Sequence, residues 1–276
     1  MADSIKVDNN KAQHSSMINP INYLFKYYSK PFATLNWQYT SICEIGKIIK
    51  SLKFKNTSGY NGISNRIIKL SSPFIISPLT YISNAALSSG VFPDRLKYAI
   101  VKPIFKKGSK QDISNYRSMS LLTSFSKVFE KLIYNRLYTH IETNSILVQE
   151  QYGFRMQHLT EHAAFSLVNS ILMAANNNQI FVGIFCDLQK DFDCVNHKIL
   201  LEKLQFYGIY GKFKALIESY LTNRYQILTL NKIDYNNNSS KWVRINCSVP
   251  QGSILGPLFF LIYINVLPTI IIKIIM

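Results

Sequence analysis

Residues 180–193 read Ile-Phe-Val-Gly-Ile-Phe-Cys-Asp-Leu-Gln-Lys-Asp-Phe-Asp, an apolar run that ends abruptly at Asp187 and is followed by Asp191 and Asp193. Its β-branched and aromatic residues predict a strand over 180–186, and a strand that stops at a carboxylate presents that carboxylate at its end. Three aspartates within seven residues concentrate negative charge in an otherwise basic chain. A hard cation such as Mg²⁺, which takes carboxylate oxygens and keeps positions open for phosphate, suits them. The same segment fits a strand-to-helix turn in which one aspartate caps the following helix. The segment alone does not decide between the two.

Around this strand, helices and strands alternate. Phe125, Val128, Phe129, Leu132, Ile133 and Leu137 recur at i, i+3, i+4 and predict a core-facing helix over Ser124–Glu142. Further helices are expected at Thr160–Ala175, with Thr160 as N-cap, and at Ser41–Leu52, Ile75–Leu87, His197–Tyr207, Lys212–Thr222 and Ser253–Ile264. Strands are expected at Tyr98–Phe105, Tyr225–Leu230 and Lys241–Cys247, the last two joined as a hairpin through the loop at Asn236–Ser240. Antiparallel strands with intervening helices indicate an α+β fold. Residues 1–39, polar and interrupted by Pro20 and Pro31, are expected to be a linker or an upstream remnant.

Composition narrows the partners. The 276 residues hold 31 Lys plus Arg against 15 Asp plus Glu, a net charge of +16, and 47% of them are apolar. That is enough apolar mass for a core and too little polarity for a disordered tail. The excess is lopsided: residues 1–150 hold 20 basic and 8 acidic side chains, residues 151–276 hold 11 and 7. A field of this sign attracts polyanions, nucleic acid first. Cys43, Cys186, Cys194 and Cys247 have neither zinc-ligand spacing nor a disulfide framework. Met1–His14 lacks the apolar core of a signal peptide. Both point to an intracellular protein, nuclear or cytoplasmic. Residues 254–276 are apolar enough to raise a membrane anchor as an alternative, but Pro257, Asn265, Pro268 and Lys273 interrupt them.

Two further segments carry chemistry. Between Arg95 and Lys110 the basic residues Arg95, Lys97, Lys102, Lys106, Lys107 and Lys110 occur with no acid and with Tyr98 and Phe105 interleaved. The pattern suits a phosphate-binding hairpin, with a solvated basic loop as the alternative. Pro250-Gln251-Gly252-Ser253-Ile254-Leu255-Gly256-Pro257 lies between a strand and an apolar helix. Its glycines permit close backbone approach to a ligand, and Gln251 can hydrogen-bond a base or sugar edge.

Taken in order, Ser58-Gly59-Tyr60-Asn61-Gly62-Ile63, Ile100–Gly108, Asn115-Tyr116-Arg117-Ser118-Met119-Ser120-Leu121-Leu122, Tyr152-Gly153-Phe154-Arg155, Phe185–Asp193 with Val195-Asn196-His197, and Val249–Leu258 with Tyr263-Ile264-Asn265 resemble the reverse transcriptase domain of non-LTR retrotransposons, jockey-like elements above all. The resemblance covers about residues 40–268. It implies a right-hand polymerase with fingers at 40–178, a partial palm at 179–276 and no thumb. It implies an RNA template, a DNA primer and deoxynucleoside triphosphates as partners, and Mg²⁺, with Mn²⁺ as the alternative ion, at Asp187. It further implies that Lys106 and Arg117 clamp the triphosphate, that Phe192 lies under the sugar, and that Gln251 and Gly252 contact the nucleotide. Arg95, Lys97, Lys102, Lys107, Lys110 and Arg155 are then expected to grip nucleic acid.

The departures from the family pattern are specific. Ser118 replaces a proline, Asp191 an alanine, Ser248 a glycine and Val266 an aspartate. The aromatic-Ala-Asp-Asp hairpin that supplies the family's other metal carboxylates does not occur in these 276 residues. Asp187 is thereby left without metal-binding partners, and the expectation is an inactive polymerase domain, with a non-catalytic nucleic-acid-binding fragment as the alternative.

Overall fold

The computed structural model describes residues 20–156, 158–187, 191–229 and 241–267. Helices α1 (Pro20–Tyr27), α2 (Ile42–Ser51), α3 (Asn65–Leu70) and α4 (Ser72–Ser89) precede a hairpin of β1 (Tyr98–Phe105) and β2 (Tyr116–Leu122). Helices α5 (Ser124–Thr143), α6 (Thr160–Asn176), α7 (His197–Phe206) and α8 (Gly211–Leu221) follow, then β3 (Arg224–Leu228), β4 (Val243–Ile245) and α9 (Leu255–Ile264). The sheet order is β2-β1-β3-β4; β1–β2 and β3–β4 pair antiparallel and β1–β3 parallel. The architecture is the expected α+β mixture, with one parallel pairing in a sheet expected to be antiparallel.

Local chemistry sets the helix starts. Ser41, Ser64, Thr123 and Asn196 stand in extended backbone, and each side chain accepts a hydrogen bond from an otherwise orphaned N–H of the first turn. Gly90 ends α4 in the left-handed conformation. Helix α5 buries Val128, Phe129, Leu132, Ile133 and Leu137, the stripe legible in its sequence. Helix α9 is apolar on every side because it runs through the core: Leu255, Leu258, Phe259, Phe260, Leu261 and Ile262 are all buried. Among the described residues no helix is long and apolar enough to cross a membrane. The end of the apolar run, 268–276, lies outside the described residues. Asn265 closes α9 as a buried junction, its side chain hydrogen-bonding the Val148 N–H, the Ile146 carbonyl and the hydroxyls of Tyr28 and Tyr207.

Two expectations are corrected. Residues 20–39 are not a linker. Leu24, Tyr28 and Phe32, four apart, carry α1 and the strap after it onto α7, with Leu24 and Leu35 buried. The Tyr28 hydroxyl donates to the Ile146 carbonyl at 2.6 Å, and the N–H groups of Phe32 and Leu35 donate to Phe206 and Gly208 at 3.0 and 2.8 Å. Residues 1–19 lie outside the described residues. Second, 180–186 is not a strand. No described strand pairs with it, and Ile180 and Phe185 are 93% and 86% exposed. Helix α6, which precedes it, buries no residue. β-propensity measures fit to a pleated, half-buried surface, so it gives no ladder where no neighbouring strand is present.

Candidate active site

The β1–β2 hairpin places the cationic residues. Ile104 pairs with Arg117 and Lys102 with Met119, and the Lys106 N–H continues the ladder to the Asn115 carbonyl at 2.9 Å. Side chains alternate across a strand, so Lys102, Lys106, Arg117 and Met119 project from one face. Lys106, Lys107, Lys110 and Arg117 are exposed. The hairpin loop is fixed by Gly108 at φ +90°, packed against the Asn115 side chain, whose amide donates to the Ser109 carbonyl at 3.0 Å.

The Pro250–Ile254 turn docks on the free edge of β2. The Ser120 N–H donates to the Gln251 carbonyl at 2.7 Å. Gly252 sits at φ +104°, and a Cβ there would lie 2.9 Å from the Ser120 carbonyl oxygen and 3.1 Å from Met119 Sδ. Only glycine permits both the conformation and the approach. The turn is held from within by Ser253, whose Oγ donates to the Pro250 carbonyl and accepts from the Gly256 N–H. From outside it is held by Glu130 of α5, whose carboxylate accepts the Ile254 N–H at 2.7 Å and the hydroxyls of Tyr220 and Ser126 at 3.0 and 3.3 Å. Glu130 is fully buried. Burial pushes its carboxyl above the ordinary range, against these hydrogen bonds and the Arg224 charge, which favour the anion.

Phe192 lies beneath this turn. Its carbonyl accepts the Val249 N–H at 3.0 Å, and its ring stacks on Phe260 at 5.1 Å and meets Phe154 edge-on at 5.9 Å. The hairpin face, the Gln251–Gly252 turn and Phe192 are thus brought together by backbone bonds and ring packing. Beside them, Ser248 occupies φ +82°, where an L-residue costs about 1–2 kcal/mol. Its carbonyl accepts from His197 Nε2 at 2.7 Å, while burial pushes the His197 imidazole below its usual range. Ser248→Gly is expected to raise stability by about 0.5–1 kcal/mol, the strain relieved less the entropy glycine adds to the unfolded chain. Urea unfolding checks it, and a loss of stability would contradict the strain.

Asp187 is exposed at the end of 180–187, and residues 188–190 lie outside the described residues. Among the described residues no group of three or more His, Cys, Asp or Glu side chains is placed to hold a metal ion. Asp187 is a suitable oxygen donor for Mg²⁺, but the described residues do not complete a two-ion site around it. Two proposed phosphate contacts face inward. Lys97 is buried, its ammonium bound to Asp94 at 2.9 Å and to the Ser219 hydroxyl at 3.3 Å. Arg155 donates to the Val148 carbonyl at 3.2 Å and lies 3.7 Å from Glu142. Both cations are committed within the fold. Arg95 is exposed and Lys102 half-buried on the hairpin face. Glu130 was missed as a site residue; the signal was a carboxylate lying within the apolar stripe of α5, four residues after Ser126.

Comparison with known proteins follows the same residues. A family model described as "Reverse transcriptase (RNA-dependent DNA polymerase)" matches residues 104–275. The chain is 33% identical over 246 residues to the RNA-directed DNA polymerase from mobile element jockey of Drosophila melanogaster, covering 88% of this chain and 26% of that protein. It is 34% identical over 233 residues to the probable RNA-directed DNA polymerase from transposon BS, and 31% identical over 228 to that from transposon X-element, both of the same fly; each match covers 82% of this chain and 24% of the relative. The chain thus spans about a quarter of the length of these curated relatives. With the family model covering more than half of its residues, including Lys106 and Arg117 of the hairpin, Asp187 and the Gln251–Gly252 turn, the chain belongs to the reverse transcriptase (RNA-dependent DNA polymerase) family.

Proposed function

We propose that this chain forms the fingers (40–178) and part of the palm (179–276) of an RNA-directed DNA polymerase of a non-LTR mobile element, working on an RNA template, a DNA primer and deoxynucleoside triphosphates inside the cell, in nucleus or cytoplasm. The observation that carries the reading is the backbone bond from Ser120 to Gln251, which sets the cationic hairpin face beside the glycine turn and Phe192. Lys106 and Arg117 are fixed donors for the triphosphate, with Arg117 suited to a two-pronged grip. Gln251 and Gly252 offer an amide and an approachable backbone to base and sugar, and Phe192 a flat wall against the sugar. Asp187 contributes one carboxylate to a site for Mg²⁺ or Mn²⁺.

The test measures triphosphate binding to the chain on a primer–template. Lys106→Ala and Arg117→Ala are each expected to weaken it by about 10–100-fold, the range of a charge-assisted hydrogen bond. Unchanged affinity in both would overturn the assignment. Primer extension with Mg²⁺ by the chain alone is expected to stay at background, because these 276 residues hold no Asp-Asp pair to join Asp187. Salt-dependent binding of RNA without triphosphate selectivity would instead favour a purely nucleic-acid-binding fragment.

A further inference from the structure

The four strands contain no acidic residue and four basic ones, Lys102, Arg117, Arg224 and Arg244. Register sorts them by face. Tyr98 of β1 pairs with Tyr225 of β3, and Tyr225 with Arg244 of β4, so these three project together with Lys102 and, two residues before Arg244, Trp242. Arg224 points the other way and is buried.

On this face four rings from three distant segments meet. Tyr98 and Tyr225 stack with centroids 5.2 Å apart and planes 15° from parallel. Trp242 meets Tyr98 edge-on at 5.1 Å, and Tyr60 lies 5.6 Å from Tyr98 and 6.0 Å from Trp242. Tyr60 is anchored through its hydroxyl to the Arg95 carbonyl at 2.7 Å. It follows Gly59, where a Cβ would lie 2.8 Å from the Thr123 nitrogen. Trp242 remains 40% exposed, and the other three rings are half-buried. Tyr98 lies about 26 Å along the strand from Lys106, at ~3.3 Å per strand residue.

We propose that this cluster is a stacking platform for single-stranded nucleic acid, with Lys102 and Arg244 neutralising its phosphates. On the polymerase reading given above, the strand is the unpaired part of the RNA template on its way to the nucleotide site. The charge decides the occupant. A face with cations and no carboxylate suits a polyanion, and exposed ring edges and faces beside those cations stack bases of any sequence. An apolar protein partner has no use for the cations, and an acidic peptide none for the rings.

The chain has two tryptophans, Trp37 and Trp242. In a Trp37→Phe background, Trp242 emission reports directly on the platform. Unstructured RNA and DNA oligomers, and primer–templates with or without a single-stranded template extension of about 8 nucleotides, within the range of one stacking groove, are titrated into the full chain. Quenching of Trp242 by the oligomers is expected. Trp242→Ala should weaken the extended substrate roughly tenfold while leaving the blunt one unchanged. Exposed Arg244→Gln should lower the salt slope by about 0.7; it supplies the test if Trp242→Ala fails to fold. Absence of quenching, or extended-substrate affinity and salt slope unchanged in both variants, overturns the platform. Quenching by DNA and RNA alike keeps the platform and removes its template selectivity. Failure of the polymerase reading is separable: triphosphate affinity would then ignore Lys106 and Arg117 while oligomers still quench Trp242.

Discussion

Gly208→Ala is expected to destabilise the fold by about 3 kcal/mol or more, measured by urea unfolding. Gly208 sits at φ +88°, a conformation that costs an L-residue about 1–2 kcal/mol. Strain is the smaller part. A Cβ at 208 would lie 1.9 Å from the carbonyl oxygen of Ala33 and 3.2 Å from His140 Nε2. That carbonyl cannot swing aside alone, because Phe32 and Leu35 on either side are bonded to Phe206 and to Gly208 itself. Relief therefore requires the strap to leave α7, exposing Leu35 at about 1.5–3 kcal/mol. Against a typical total of about 5–15 kcal/mol, such a loss unfolds a large fraction of molecules under mild denaturant. A change below 1 kcal/mol would show that the strap contributes little to the fold.

Glu130→Ala is expected to cost a comparable amount, about 3 kcal/mol or more, while Glu130→Gln should cost less than about half of that. Alanine leaves the Ile254 N–H and the Tyr220 and Ser126 hydroxyls without their acceptor in a fully buried site, at about 1–3 kcal/mol for each group left unpaired. Glutamine keeps an oxygen for Ile254 and turns an amide toward two hydroxyls that can accept. The pH dependence has a definite sign. Burial raises the folded Glu130 carboxyl above its unfolded value near 4.5, so the folded state holds the extra proton between the two. Its stabilising contribution is present below the unfolded value and is lost as pH rises through the folded one. Subtracting the Glu130→Gln stability profile from the wild-type profile should leave that falling step. A difference that rises with pH over the same window would reverse the assignment.

Much of the fold was legible in local pattern. The period of α5, the extents of α2 and α7 and the residues of β1 followed from sequence, because each depends on neighbours within a few positions, whereas the expected cap Thr160 is the first residue inside α6 and Leu159 stands at the cap position. What was not legible depended on distant partners. The run 180–186 has strand composition, yet no described strand lies beside it. The strap at 28–35 looked like linker because its polar surroundings hid the spacing of Leu24, Tyr28 and Phe32. Lys97 looked like a phosphate contact until Asp94 and Ser219 were placed around it. The ordered motifs marked the hairpin and the glycine turn, but not the bond that joins them, nor the Glu130 anchor. The four-ring cluster drew on segments no local window spans.

The bond from Ser120 to Gln251 carries a kinetic consequence. It joins positions about 130 residues apart, and closing a loop of that length costs about 4 kcal/mol of chain entropy before the contact repays it. Helices such as α5 and α9 can form from local contacts, whereas the surface made by the hairpin face, the glycine turn and Phe192 exists only after this closure. During synthesis on the ribosome, that surface should therefore be among the last features to appear, after its cationic hairpin is already exposed.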